Sequence, residues 1–354
     1  MNKTIALGIA LAAATSCKTE TVTLGVEKDS TKKQAVNQDT ACPPELIFLK
    51  SANSPPIESK YPEEKKTPLH RAYGSKEDEA LILIAQGAQI DTKDSQGRTT
   101  LYIEASANKI RTVKNLIKEG ANAQEALRYA GRQRDETAVK ALLNAGANAQ
   151  EALHRAAKLG DTTTVQTLLK VKKVAVNVRD KEELTALHWA ARNGHRDTAL
   201  ALINAKKAAV HTKDRQGWTP LHWAAKEGKV DAARLLLDNK AKTEAKDNDG
   251  ETLLHWAARN DEVDVARLLL ANKAETEAKD NNGKTPLHFA AQEGKVAVAK
   301  LLLANGAKIE AEDNYIRRPL HWAAEKGHKD VARLLLDNGA NREAEDKGGV
   351  YATA

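Results

Sequence analysis

Apolar positions recur along most of the chain at a fixed interval. Leucine is followed by a histidine, an aromatic residue and two alanines five times, with the leucines at positions 187, 221, 254, 287 and 320. The interval between them is 33 or 34 residues. A period of this length predicts stacked structural repeats, each burying its apolar face on its neighbours, rather than one closed domain.

Each unit predicts two helices and a loop. Thr219 is a good N-cap, and Pro220 falls at the first helical position, where a missing N–H costs nothing. Gly228 supplies a left-handed cap for this short helix. Apolar residues at helical spacing then predict a second helix over 230–237. Residues 246–250, Lys-Asp-Asn-Asp-Gly, predict a turn before the next unit.

This unit resembles the ankyrin repeat, whose Thr-Pro-Leu-His signature and 33-residue period both occur here. Gly-His before the second helix and Asn-Gly-Ala after it fit the same family, for instance at 327–328 and 338–340. The resemblance implies an all-α repeat solenoid of stacked helix-turn-helix units. Projecting β-turn loops, here called fingers, join successive units.

Nine such units are predicted within residues 63–354. The loops that enter the third and fourth units lack the finger, and Glu125 and Glu151 stand where the capping threonine is expected. Two other fingers carry Glu183 and Ile316 in place of the turn glycine. We therefore expect those two fingers to be less regular.

The beginning of the chain predicts export. Residues 1–17 combine Lys3 with a short apolar core, too short to span a bilayer, and the segment ends at Cys17. This end resembles the lipobox of bacterial lipoproteins, which implies lipidation of Cys17. An ordinary signal peptide cut nearby is the alternative, and it would leave Cys17 able to pair with Cys42. Residues 18–62 are polar and proline-containing, and they predict a disordered tether.

The family resemblance implies a binding function and no reaction. Ankyrin arrays bind proteins through a concave side formed by finger tips and first helices. No Ser/His/Asp or Cys/His combination in the sequence indicates catalysis, and no cofactor, metal or small-molecule substrate is predicted. The sequence therefore predicts a non-enzymatic interaction scaffold.

An aromatic column follows the motif histidines. It includes Trp189, Trp223, Trp256 and Trp322, together with Tyr129 and Phe289. Such rings serve either as interface anchors or as packing between repeats, and their regularity favours packing. More variable positions after the second alanine are better candidates for contact with a partner: Lys158, Arg192, Lys226, Arg259, Gln292 and Glu325.

Histidine is abundant but its distribution argues against a metal site. Seven of the ten histidines occupy one motif position: His70, His154, His188, His222, His255, His288 and His321. A metal needs converging ligands, whereas these lie one per repeat. We expect each to hydrogen-bond backbone in the adjoining loop.

Charge distinguishes the middle of the array. The chain carries a net charge of +7, and residues 99–218 alone carry 21 Lys or Arg against 12 Asp or Glu. This charge either serves solubility alone or indicates an acidic protein partner, or anionic lipid near the anchor. If it binds a partner, charge reversal at Arg192, Arg196, Lys206 and Lys207 should weaken capture. Nucleic acid is not predicted as a partner for an exported protein.

The predicted protein is a lipid-anchored scaffold of the bacterial cell envelope. The alternatives are a secreted effector aimed at a host protein and a regulator of a periplasmic enzyme.

Overall fold

The computed structural model describes residues 67–75, 77–171, 174–206 and 208–352, all within one compact unit. The predicted signal segment, Cys17, Cys42 and the tether lie outside the described residues. Regular structure in the described part is helical, in eighteen helices that form nine consecutive pairs. They are α1 (Pro68–Ser75), α2 (Glu77–Ala85), α3 (Thr100–Ser106), α4 (Ile110–Lys118), α5 (Ala123–Arg132), α6 (Glu136–Asn144), α7 (Ala149–Leu159), α8 (Thr162–Leu169), α9 (Ala186–Arg192), α10 (Arg196–Lys206), α11 (Pro220–Lys226), α12 (Val230–Asp238), α13 (Leu253–Asn260), α14 (Val263–Ala271), α15 (Pro286–Gln292), α16 (Val296–Ala304), α17 (Pro319–Glu325) and α18 (Lys329–Asp337). The predicted repeat fold is confirmed.

From α7 onward the helices form two layers. First helices pack on the first helices of neighbouring repeats, as α9 does on α7 and α11, and second helices pack on second helices, as α14 does on α12 and α16. The motif leucines are fully buried between the layers, including Leu221 and Leu287 at 0% exposure. The alanine pair after the aromatic position is also buried, which lets first helices approach closely. No helix in the described ranges is long and apolar enough to cross a membrane.

The fingers stack on one another through backbone and asparagine hydrogen bonds. Asn281 donates its backbone N–H to the Asp249 carbonyl at 3.0 Å and its Nδ2 to the Asn248 carbonyl at 3.1 Å, and Asn314 repeats both contacts one finger further on. Gly217 has φ +83°, and a Cβ there would lie 2.5 Å from the Asn248 Oδ1. Glycine therefore serves both the left-handed turn and the stacking of the next finger.

The expectation of irregular fingers at Glu183 and Ile316 is wrong. Both residues adopt the left-handed conformation of the glycine they replace, at φ +66° and +61°. Asp180 and Asp313, which open these two fingers, each accept the same pair of backbone N–H bonds as Asp214 does in a glycine-containing finger. The finger keeps its shape, and the substituted residue bears the backbone strain.

In the two fingerless repeats the N-cap prediction is also wrong. Helices α5 and α7 begin earlier than the alignment of motif leucines indicates, with Asn122 and Asn148 as N-caps. Each asparagine side chain accepts from a first-turn N–H, and Glu125 and Glu151 lie inside the first turn. The acidic side chains there favour the positive end of the helix dipole, so these helices are well capped.

Loss of the finger changes how the layers meet. In this region first helices pack on the second helix of the following repeat, α3 on α6 and α5 on α8. Gly131 of α5, which takes the place of the second motif alanine, allows the approach of α8. A Cβ at Gly131 would lie 2.7 Å from the Thr164 side chain and 2.9 Å from its Cα, and the Thr167 hydroxyl donates to the Gly131 carbonyl at 3.0 Å.

Candidate functional site

The finger aspartate organises the surface where fingers and first helices meet. Oδ1 of Asp214 accepts the backbone N–H groups of Gln216 and Trp218, both at 2.9 Å. This closes the turn and leaves Oδ2 directed at the first helix of the same repeat. The side chain is buried, so a hydrogen-bond donor for Oδ2 is needed to offset its desolvation.

The indole of the first helix supplies that donor. Trp223 Nε1 donates to Asp214 Oδ2 at 2.8 Å, nine residues earlier. The other three repeats with a tryptophan in this position repeat the bond: Trp189 to Asp180 at 2.6 Å, Trp256 to Asp247 at 2.9 Å and Trp322 to Asp313 at 3.1 Å. The rings are therefore fixed in orientation by their own finger.

Trp218 adds a ring that sequence reasoning missed. It precedes the capping threonine, a position occupied in other repeats by residues such as Leu184 and Lys284. Its ring packs edge-to-face between Trp223, at 4.7 Å between centroids, and Trp256, at 4.5 Å. Its Nε1 donates to Asp247 at 3.1 Å, so one carboxylate holds the indoles of two repeats.

Cations lie over these rings along the array. Measured from the charged group to the ring centroid, three lysine contacts are Lys158 to Trp189 at 4.3 Å, Lys226 to Trp218 at 4.8 Å and Lys284 to Trp322 at 3.5 Å. The arginine contacts are Arg192 to Trp223 at 4.4 Å, Arg259 to Trp256 and to Phe289 at 4.5 Å each, and Arg317 to Trp322 at 3.7 Å. Such contacts are attractive, and more so where the cation is partly desolvated. We call these six cations and six rings the aromatic–cation ladder.

The arginines of the ladder are paired with carboxylates. Arg259 Nη2 lies 2.6 Å from Glu251 Oε1, and Arg192 lies 3.7 Å from Glu227. Arg317 lies 3.4 Å from both Asp313 and Glu325. Burial raises the pKa of Glu251, and the Arg259 charge opposes that rise.

The lysines of the ladder differ. Within the described ranges no carboxylate lies within ion-pair distance of Lys158, Lys226 or Lys284. Lys284 donates to the Gln292 Oε1 at 2.8 Å. Burial lowers the pKa of Lys284. The charges of Asp280 and Asp313, which lie beyond ion-pair distance, oppose that fall, and those of Arg317 and Arg259 add to it.

The predicted contact residues thus fall in one place. Lys158, Arg192, Lys226 and Arg259 are ladder cations, while Gln292 and Glu325 contact the ladder cations Lys284 and Arg317. The four predicted tryptophans Trp189, Trp223, Trp256 and Trp322 are ladder rings. Trp223 and Trp322 are buried and Trp189 and Trp256 are half-buried, which agrees with the interpretation that these rings pack between repeats. Lys284 and Arg317 were missed because they precede the helix and reach the rings by tertiary packing.

The motif histidines hold successive repeats together. His255 Nδ1 accepts the backbone N–H of the cap Thr252 at 3.0 Å, and its Nε2 contacts the Lys284 carbonyl of the next finger at 3.0 Å. The expected bond to an adjoining loop is confirmed at five positions, which are His70, His154, His188, His255 and His288. At His222 and His321 the buried Nε2 atom makes no such bond. Across the described residues, no group of histidine, cysteine or carboxylate side chains is arranged to bind a metal.

The four residues of the charge-reversal hypothesis belong to the basic middle section. Arg192 is on the ladder, and Arg196 is exposed and pairs with its neighbour Asp197 at 3.3 Å. Lys207 and the side chain of Lys206 lie outside the described part. The charge-reversal hypothesis for these four residues remains a prediction.

Comparison with known proteins gives matches at the level of family and fold. A family model described as ankyrin repeats matches residues 127–214, 153–247, 202–280, 235–313 and 272–346. Among solved structures, the ankyrin repeat domain of human ASB11 is similar with a TM-score of 0.52 and 30% sequence identity, over 57% of this chain and 91% of that one. No curated protein sequence matches the chain.

Proposed function

The chain belongs to the ankyrin-repeat family, and on that premise we propose that it is a scaffold that binds a protein partner through the aromatic–cation ladder. Ankyrin repeats are typically non-enzymatic modules of protein–protein interaction. The observation that carries the choice of face is the row of cations over the ladder tryptophans, whose rings are buried or half-buried and support the cations from beneath. Tryptophan and arginine are residue types enriched among the strongest contributors to protein interfaces.

The ladder is also held in place before any partner arrives. Each tryptophan is fixed by a finger aspartate, as Trp223 is by Asp214, and each arginine by a carboxylate. Side chains that are already ordered lose little conformational entropy on binding, so more of the contact energy contributes to affinity. The second helices carry no comparable row of rings in the described part.

The first experiment captures a partner from cells that express the protein. The double variant Lys158→Glu/Lys226→Glu reverses two ladder charges. Lys114→Glu/Lys300→Glu reverses two exposed charges on second helices and serves as the matched control. We expect capture to be lost in the ladder variant and kept in the control. Equal capture by both variants would place the binding surface elsewhere.

We further propose that the scaffold works at the bacterial cell envelope, tethered through lipidated Cys17 and residues 18–62. The support is the sequence of residues 1–17 alone. A secreted effector and a regulator of a periplasmic enzyme are the competing roles. Mass spectrometry of the mature N-terminus from the membrane fraction tests the first of these: a lipidated Cys17 supports the tethered scaffold, and a free N-terminus in the medium supports the secreted effector. Capture of a periplasmic enzyme in a pull-down would support the regulator.

A further inference from the structure

We propose that the segment bound by the ladder is an extended acidic peptide, whose carboxylates pair with Lys158, Lys226 and Lys284 in turn. This inference rests on the proposed protein-binding function and specifies the partner's chemistry. It follows from an alternation along the ladder between cations that already have a carboxylate and cations that do not.

The alternation follows the repeats. Lys158, Lys226 and Lys284 have no carboxylate within ion-pair distance among the described residues, whereas Arg192 and Arg259, which lie between them, are paired at 3.7 Å and 2.6 Å. Arg317 closes the series, paired at 3.4 Å. The three lysines are therefore the ladder cations that remain able to form an ion pair with a carboxylate of a partner.

The position of the Lys226 ammonium group, at the middle of the series, favours an incoming carboxylate. Lys226 lies 4.8 Å, 5.4 Å and 5.7 Å from the centroids of Trp218, Trp223 and Trp256, so rings cover one side of it. An ammonium group has three N–H donors, and the rings leave donors on its open side. Partial burial also weakens solvent screening, which makes an ion pair here stronger than one on open surface.

The spacing of the three lysines along the array matches an extended peptide. Lys158 reaches the ring of the fifth repeat, Lys226 bridges rings of the sixth and seventh, and Lys284 reaches those of the eighth and ninth. Successive ammonium groups are therefore two repeats apart, roughly 20 Å if first helices pack about 10 Å from one another. An extended peptide advances about 3.3 Å per residue, so acidic side chains about six residues apart match the lysines.

The carboxylates beside the ladder arginines argue against a continuous polyanion. Glu227, Glu251 and Glu325 each lie beside a ladder arginine. A nucleic acid strand carries a phosphate at every nucleotide and would bring charges against these carboxylates. A peptide with uncharged residues between its acidic ones avoids that repulsion.

The test measures peptide binding by fluorescence anisotropy at low and physiological salt. The first peptide carries three glutamates about six residues apart in a neutral, proline-containing background. The second has the same composition with the glutamates clustered at one end, and the third has glutamine in their place. The full-length protein is compared with Lys226→Gln and with Lys300→Gln, which removes an exposed charge from a second helix.

We expect the spaced peptide to bind most tightly, with the affinity falling about fivefold in Lys226→Gln and unchanged in Lys300→Gln. Equal binding of the glutamine peptide, or of the clustered one, would overturn the proposal. So would tighter binding of a single-stranded oligonucleotide of matched length, which would indicate a polyanion site. If no peptide binds while partner capture still depends on Lys158 and Lys226, this inference fails and the scaffold function stands.

Discussion

Asp214 and Trp223 are joined by a hydrogen bond of 2.8 Å from the indole nitrogen to Oδ2, which ties a finger to the first helix behind it. The same carboxylate closes the finger through its other oxygen. The shape of the finger and the orientation of the ring are therefore set by one buried side chain. A partner that contacts Arg192 above this ring therefore depends on the finger as well.

We expect Asp214→Ala to destabilise the array more than Asp280→Ala does. Both changes remove two backbone hydrogen bonds at the finger, but the ring beside Asp280 is Phe289, which has no N–H. Only Asp214→Ala leaves a buried indole donor unpaired, which costs about 1–2 kcal/mol. Urea titration of both variants measures the difference, and equal losses of stability would contradict a role for the indole bond.

The repeat period predicted the helices, the buried leucines and the role of the motif histidines, because these depend on contacts that recur in each unit. The ladder was predicted only in part. The residue before the helix varies from repeat to repeat, so Lys284 and Arg317 stand in no recognisable motif. Lys284 lies over Trp322, 38 residues later, through stacking that the sequence of one unit does not contain.

The buried motif histidines make the array sensitive to acid. Burial lowers the pKa of His188, His222, His255 and His288 from 6.5 to about 4. Because these folded-state pKa values lie below the unfolded value, the unfolded chain binds more protons between pH 4 and 6.5. The contribution of each neutral histidine to the free energy of unfolding is fully present above about pH 6.5. It is lost as the pH falls toward 4, by about 3 kcal/mol per histidine at the low end.

The measurement is the free energy of unfolding in urea between pH 7.5 and 4.5. The variant His255→Gln removes one titrating group, so its stability should fall less steeply with decreasing pH, by at most about 1.4 kcal/mol per pH unit. Its stability at pH 7.5 should also be lower, because the bonds to Thr252 and to the Lys284 carbonyl are altered. An unchanged pH slope would contradict the assigned pKa of His255.

Gly131→Ala should destabilise the fingerless region, although alanine is the better helix former by about 1 kcal/mol. The added Cβ would lie 2.7 Å from the Thr164 side chain and 2.9 Å from its backbone, so α8 must move away from α5. We expect a net loss of about 1–3 kcal/mol. Adding Thr164→Ala should restore only part of the lost stability, because the backbone contact remains. A Gly131→Ala variant more stable than the parent would contradict the prediction and show that the two helices separate freely.

Ile316→Gly should stabilise the ninth repeat. Ile316 adopts φ +61° at the tip of its finger, where a β-branched side chain is strained by about 1–2 kcal/mol. The residue is 42% exposed, so only part of its side chain packs on neighbours and is lost when it is removed. Glycine also increases the conformational freedom of the unfolded chain, which reduces the net stabilisation to about 1 kcal/mol.

Gly283→Ala is the reverse control, since it places a side chain at φ +76° and a Cβ against Asn314. Urea titration should show opposite shifts in stability for the two variants. Destabilisation by Ile316→Gly would mean that the isoleucine contributes packing that outweighs its backbone strain.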